Sequence, residues 1–314
     1  MLRLLRSLAL AISLLIAWLV PAQAQETVTA PAPVATVAPE TVNPEKLGPA
    51  RPALWKLADG DTTIYLFGTI HALPAELTWF DGPIAAALRG SQQLVTEIPD
   101  TDPAEMQSAV VSNAMLPRGQ TLRALLTPEV KAKYEKAMAD LELPVEAFDP
   151  LAPWFAALSL ALTPVKAGGF DPASGADVRI AAEAKTLGIP RMGLETAGYQ
   201  MAMFSRLPLE TQTRYLSEVV DGMPKIPQEM ADMIREWSAG HPDKVAELDN
   251  SEEDDPILIK TLLTDRNRTW AEWTRLRLKR PGTVFVAVGA GHLAGKDSVL
   301  DMLGKAGVRV ERVQ

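Results

Sequence analysis

Two apolar runs at opposite ends of the chain finish in the same way. LFGTIHALP, residues 66–74, and VFVAVGAGHLAG, residues 284–295, each read as strand, glycine, two residues, histidine. Runs this apolar lack a wet face, so each belongs inside a sheet covered on both sides. A mixed sheet must then be built from both ends of the chain, and what lies between must fold around it.

The rest of the sequence fits that demand. ALWKLA and TTIYLFGTI are strand-like and are joined by DGD, a hairpin signal. DGPIAAALRGS reads as a short helix and QQLVTEIP as another strand. Beyond residue 101 the apolar spacing turns helical, in TDPAEMQSAVVSNAML, LTPEVKAKYEKAMADLEL and PLAPWFAALSLALTPV. Thr127 caps the second of these, with Pro128 at its first position. SGADVRIAAEAKTLGIPRMGLE gives a helix ending at Gly188 and a short strand ending in Glu195. Further helices follow, the last around DPILIKTLLTDRNRTWAEWTRLRLK. The chain closes in a strand-helix-strand pattern, a compact βαβ unit. The expected fold class is α/β (α+β): a mixed central sheet from the N- and C-terminal segments, flanked by helices. A helical insertion covers residues 101–170 and 196–280.

The first residues have another purpose. MLRLLR is basic, SLALAISLLIAWLV is apolar, and Ala22 and Ala24 form an A-x-A pattern. This predicts a secretory signal peptide over residues 1–24, cut after Ala24, and a periplasmic or secreted protein. An uncleaved anchor is the alternative. Residues 25–51 are rich in Pro, Ala, Thr and Val and read as a disordered tether to a domain at 52–314. No later stretch approaches the ~20 apolar residues of a membrane span.

Composition narrows the chemistry. The chain has no cysteine, which excludes disulfides, a thiolate nucleophile, a cysteine-ligated metal and a lipoprotein anchor. Loss of Arg3 and Arg6 with the leader takes the formal charge from −8 to −10, so nucleic acid is not an expected partner. A peptide or small-molecule substrate is.

His71 and His292 stand at strand ends, where open α/β sheets bind their ligands. They are two of only three histidines, and imidazole is a common metal ligand. Glu97 ends QLVTEIP, where an acid needs a positive neighbour to offset its desolvation. Glu195 has the same context, with a first-turn acid as its plainer reading. Arg266 and Asn267 lie beside an apolar helical stripe, and one of the pair could reach inward to orient a carboxylate or a substrate carbonyl. His241, between Gly240 and Pro242, reads as a loop residue. Neither G-x-S-x-G, G-x-G-x-x-G nor HExxH occurs.

With these residues in place, the chain resembles the TraB/GumN family. LFGTIHALP, VTEIP, GADVRIAAEAKTLGIPRMGLET, DRNRTW and VFVAVGAGHLAGKDSVLDMLGKAGVRV carry the likeness over residues 54–313. That family includes the Tiki metalloproteases and is related to the erythromycin-esterase and ChaN-like superfamily. The resemblance implies an exported divalent-metal hydrolase, with Tiki-like members cleaving peptide bonds. His71, His292 and Glu97 would be metal ligands; Glu97, Glu195, Arg266 and Asn267 would serve catalysis. Asp177 matches a family position of less defined role. Mn²⁺, Co²⁺ or Zn²⁺ would suit such donors. The alternative is a non-enzymatic protein of the same fold that binds a metal, a haem or a peptide in that crevice.

Overall fold

The computed structural model describes residues 49–249 and 255–314. The expected leader and nearly all of the expected tether therefore lie outside the described residues. Ala50 and Arg51, at the end of the tether, donate backbone hydrogen bonds to the carbonyls of Thr78 and Ser238.

A six-stranded sheet forms the centre, in the order β4-β3-β5-β2-β1-β6. β1 (Leu54–Ala58) and β2 (Thr62–Thr69) make the expected hairpin. Asp59 turns it, accepting the Thr62 N–H at 2.9 Å on its carboxylate. α1 (Gly82–Arg89) leads to β3 (Gln93–Thr96). Then come α2 (Pro103–Ala114), α3 (Leu122–Leu125), α4 (Pro128–Asp140), α5 (Pro153–Ala167) and α6 (Ala176–Thr186). Thr127 caps α4 as its sequence requires, taking the Val130 N–H on its hydroxyl. β4 (Arg191–Gly193) returns to the sheet. After it run α7 (Ala197–Ser205), α8 (Leu209–Gly222), α9 (Ile226–Ser238) and α10 (Pro242–Asp249). α11 (Pro256–Ile259) joins α12 (Asp265–Arg277) through a π turn over Lys260–Thr264. β5 (Gly282–Gly289), α13 (Val299–Lys305) and β6 (Glu311–Arg312) complete the chain. Among the described residues no helix is long and apolar enough to cross a membrane.

β5 is the axis of the sheet. It lies parallel to β2 on one side and to β3 on the other, and β3 is parallel to β4. Its side chains alternate between two cores. Phe285 and Ala287 join the large core made with the helical insertion. Val284, Val286 and Val288 join a smaller one with Trp270 of α12 and Leu303 of α13. Burial on both faces explains why this strand carries no alternating polar residue.

The closing βαβ unit differs from expectation in where its last strand lands. β6 pairs antiparallel with β1, and β2 and β1 both stand between it and β5. The positions beside β5 are taken by β2 and β3, and β6 contributes only two residues to its ladder with β1.

Candidate functional site

β2, β3, β4 and β5 all point their carboxyl ends at one edge of the sheet, the usual place for a ligand crevice in an open α/β fold. The chain leaving each strand delivers one candidate residue: His71 after β2, Glu97 after β3, Glu195 after β4 and His292 after β5. β3 and β4 hold Glu97 and Glu195 side by side, with the Glu195 N–H donating to the Glu97 carbonyl at 2.8 Å. Gly193 is needed there, because a Cβ on it would stand 2.4 Å from the ring of Pro99. Gly289 marks the meeting point. A Cβ on it would lie 3.2 Å from Oε1 of Glu97, 3.5 Å from the His292 ring and 3.8 Å from Nε2 of His71.

Arg266 is the hub of the buried side chains. Its guanidinium has five N–H donors, and each has an acceptor. Nε serves Glu195 at 3.0 Å. Nη2 serves Glu97 at 2.7 Å and Glu195 at 2.9 Å. Nη1 serves the Leu262 carbonyl at 3.1 Å and Nε2 of His292 at 3.0 Å. Leu262 lies in the π turn that precedes α12. The guanidinium also sits over the Trp270 ring, 4.5 Å from its centroid. Arg266 and Asn267 both reach inward, at 2% and 0% exposure, but neither is poised to touch a substrate. Asn267 donates to the Asp297 carbonyl at 2.9 Å and accepts from Nδ1 of His292 at 2.6 Å.

The carboxylates are equally committed. Glu97 takes the Gly289 N–H on Oε1 at 2.7 Å, and Arg266 and Gln200 on Oε2. Burial is the largest influence and opposes its ionisation, but Arg266 together with the other groups around the carboxyl, the Gly289 N–H among them, outweighs burial and holds the carboxyl well below the usual range. Glu195 binds Arg266, Trp270 Nε1 and Gln200 Nε2. It is therefore a partner of the hub and not a helix cap. Thr196 fills that role for α7, accepting the Tyr199 N–H at 3.1 Å.

His71 has a carboxylate of its own beside it. Its Nδ1 lies 3.1 Å from Oδ1 of Asp177, in the first turn of α6. The contact depends on two backbone links between the segments. Leu73 pairs with Asp171 as an isolated bridge, and the Ala176 N–H donates to the Ile70 carbonyl at 2.8 Å. Gly175 allows this approach, since a Cβ there would fall 2.5 Å from the His71 carbonyl oxygen. Burial disfavours charge on His71, yet Asp177 and Glu97 together outweigh it and the pKa is raised. His71, Glu97 and Asp177 line a cavity of about 340 Å³ with Thr69, Thr96 and Arg191. The Thr69 hydroxyl is buried without a hydrogen-bond partner. His241 is exposed and pairs with Glu236 at 2.9 Å, away from the crevice.

Gln200 is the residue that sequence reading missed. Its amide ties Glu97 to Glu195. The signal was there: a polar residue on the same face of α7 as Ala197 and Phe204, both buried.

The TraB/PrgY/gumN family model matches residues 53–312. The chain belongs to the TraB/PrgY/gumN family. Uncharacterized protein YbaP of Escherichia coli (strain K12) is similar to it, 23% identical over 252 residues, which cover 80% of this chain and 92% of YbaP. YbaP of Shigella flexneri is similar to the same extent, at 23% identity over 252 residues. No solved structure matches.

For this TraB/PrgY/gumN chain, the expected metal ligands His71, His292 and Glu97 do converge near Gly289. His292, however, has no lone pair left for an ion. Both ring nitrogens of His292 are engaged, one by Arg266 and one by Asn267. Among the described residues no group of three His, Asp or Glu is disposed to hold a metal ion. As arranged, the three do not fit a divalent cation.

Proposed function

We propose that this protein is an exported hydrolase of ester or amide bonds, peptide bonds included, with His71 as its general base. One observation carries the reading: a His71–Asp177 pair lines a cavity at the carboxyl edge of the four parallel strands, beside Glu97 and the hydroxyls of Thr69 and Thr96. A base needs a defined tautomer, and the Asp177 carboxylate 3.1 Å from Nδ1 favours the proton on that nitrogen, which puts the lone pair of the neutral ring on Nε2. His71 takes a proton from a water in the cavity. The hydroxide attacks the substrate carbonyl, and the same proton passes to the departing amine or alkoxide as the C–N or C–O bond breaks. The Thr69 hydroxyl supplies a hydrogen bond to the carbonyl oxygen as it gains charge. Export rests on the leader-like residues 1–24.

The test is a screen of the purified protein against chromogenic esters and a peptide library, with His71→Ala in parallel. Turnover that His71→Ala abolishes supports the reading. Tight ligand binding without turnover would move the assignment to a non-enzymatic binding protein.

A further inference from the structure

We infer that Arg266 is the resident cation of this crevice, standing where a divalent metal would otherwise balance Glu97 and Glu195, and that His292 positions Arg266 instead of ligating metal. The inference concerns the same crevice as the hydrolase reading but does not need turnover to be judged.

The hydrogen bonds leave one consistent set of polarities. A guanidinium can only donate. Nε2 of His292, 3.0 Å from Nη1 of Arg266, must therefore carry a lone pair. The proton of a neutral ring then sits on Nδ1 and goes to Oδ1 of Asn267, 2.6 Å away. The Asn267 amide is oriented in turn, because its Nδ2 donates to the Asp297 carbonyl. On the other side the guanidinium meets Glu97 and Glu195. Two buried carboxylates face one fixed positive charge on a planar fork, a geometry that suits Arg and not a hydrated ion. A metal at His292 Nε2 would have to displace Arg266, breaking a bond to His292 and stranding donors now held by Glu97 and Glu195. The raised pKa of Arg266 and the lowered pKa of His292 agree with this charge placement.

Two measurements on the full chain test the inference. The first is Co²⁺ binding after chelation, read by visible absorption and metal content. The wild type should take up no stoichiometric Co²⁺. Arg266→Gln, which releases Nε2 of His292 and takes the cation away from Glu97 and Glu195, should gain one tetrahedral or five-coordinate ion. The second is the long-range proton–nitrogen spectrum of His292 with and without Zn²⁺. The wild type should show a protonated Nδ1 and a bare Nε2, unmoved by Zn²⁺. That spectrum decides the matter should Arg266→Gln fail to fold. Stoichiometric metal in the wild type that His292→Gln abolishes, or a His292 signal that shifts with Zn²⁺, would overturn the inference. Turnover in the substrate screen affects neither result.

Discussion

Nη1 of Arg266 and Nε2 of His292 are 3.0 Å apart, and this contact decides how the histidine after β5 is used. His71 and His292 share a sequence context and end at the same sheet edge, yet their surroundings are opposite. His71 faces a carboxylate, and His292 faces a guanidinium. Burial together with Arg266 pushes the His292 pKa down to about 3, whereas Asp177 raises that of His71 against burial. The surroundings favour a proton on His71 and a neutral ring at His292.

Arg266→Met leaves Glu97 and Glu195 buried without their cation. Breaking a buried pair from one side costs about 3–5 kcal/mol. Urea unfolding should show a loss of that size. Adding Glu97→Gln and Glu195→Gln should recover most of it. A loss under ~1 kcal/mol would mean the carboxylates are not charged.

Acid should destabilise the protein in a window set by His292. A histidine with a depressed folded pKa takes its proton first in the unfolded chain. Its contribution is full above the unfolded value of 6.5 and is lost as pH falls toward about 3. The slope is about 1.4 kcal/mol per pH unit. Glu97, also depressed, adds its loss below its ordinary value of 4.5. His71 runs the other way, stabilising below 6.5 and losing that contribution as pH climbs through its raised pKa. His292→Gln should therefore flatten the fall in stability between 6.5 and 4.5, measured by unfolding at a series of pH values. An unchanged slope would assign the proton uptake to another group.

Hydrolysis should rise with pH as His71 loses its proton, with an apparent pKa above the ordinary 6.5. His71→Ala should lower kcat/KM by ~10²–10⁴. Asp177→Asn removes the charge that raises the pKa, so its pH–rate limb should move to lower pH. A limb that stays in place would take Asp177 out of this role.

Gly175→Ala tests the joint between α6 and the chain after β2. Its Cβ would meet the His71 carbonyl oxygen at 2.5 Å, a backbone atom that cannot rotate away. We expect a loss of about 1–3 kcal/mol. A crystal structure should show Asp177 drawn away from Nδ1 of His71. An undisturbed contact would show that the bridge at Leu73 and Asp171 suffices.

The strands and their meeting at one edge were legible because period and burial leave a direct trace. VFVAVG admits no wet face, and DGD admits little besides a turn. Glu97 could be picked out because an acid closing a buried strand demands a positive partner. The sequence shows Arg266 as able to reach a carboxylate but not that this is Glu97, since α12 brings it from far along the chain. The position of Asp177 was hidden for a similar reason: it depends on the approach of residues 171–176 to the chain after β2. The place of β6 was invisible because two residues carry too little pattern to choose a neighbour.

β2 and β5 are joined residue by residue, from Thr62 with Gly282 to Thr69 with Gly289. The heart of the sheet thus waits for the last part of the chain to be made. Pairing across so long a loop slows folding, because loop-closure entropy is lost before contacts compensate it. Until then the apolar edge of β2 has no parallel partner and is exposed to misassembly. A nascent or truncated chain that ends before residue 282 would hold His71 and Glu97 but neither the strand between them nor the Gly289 N–H that fixes the carboxylate. A chain that stops short of β5 therefore lacks the contacts that close the crevice.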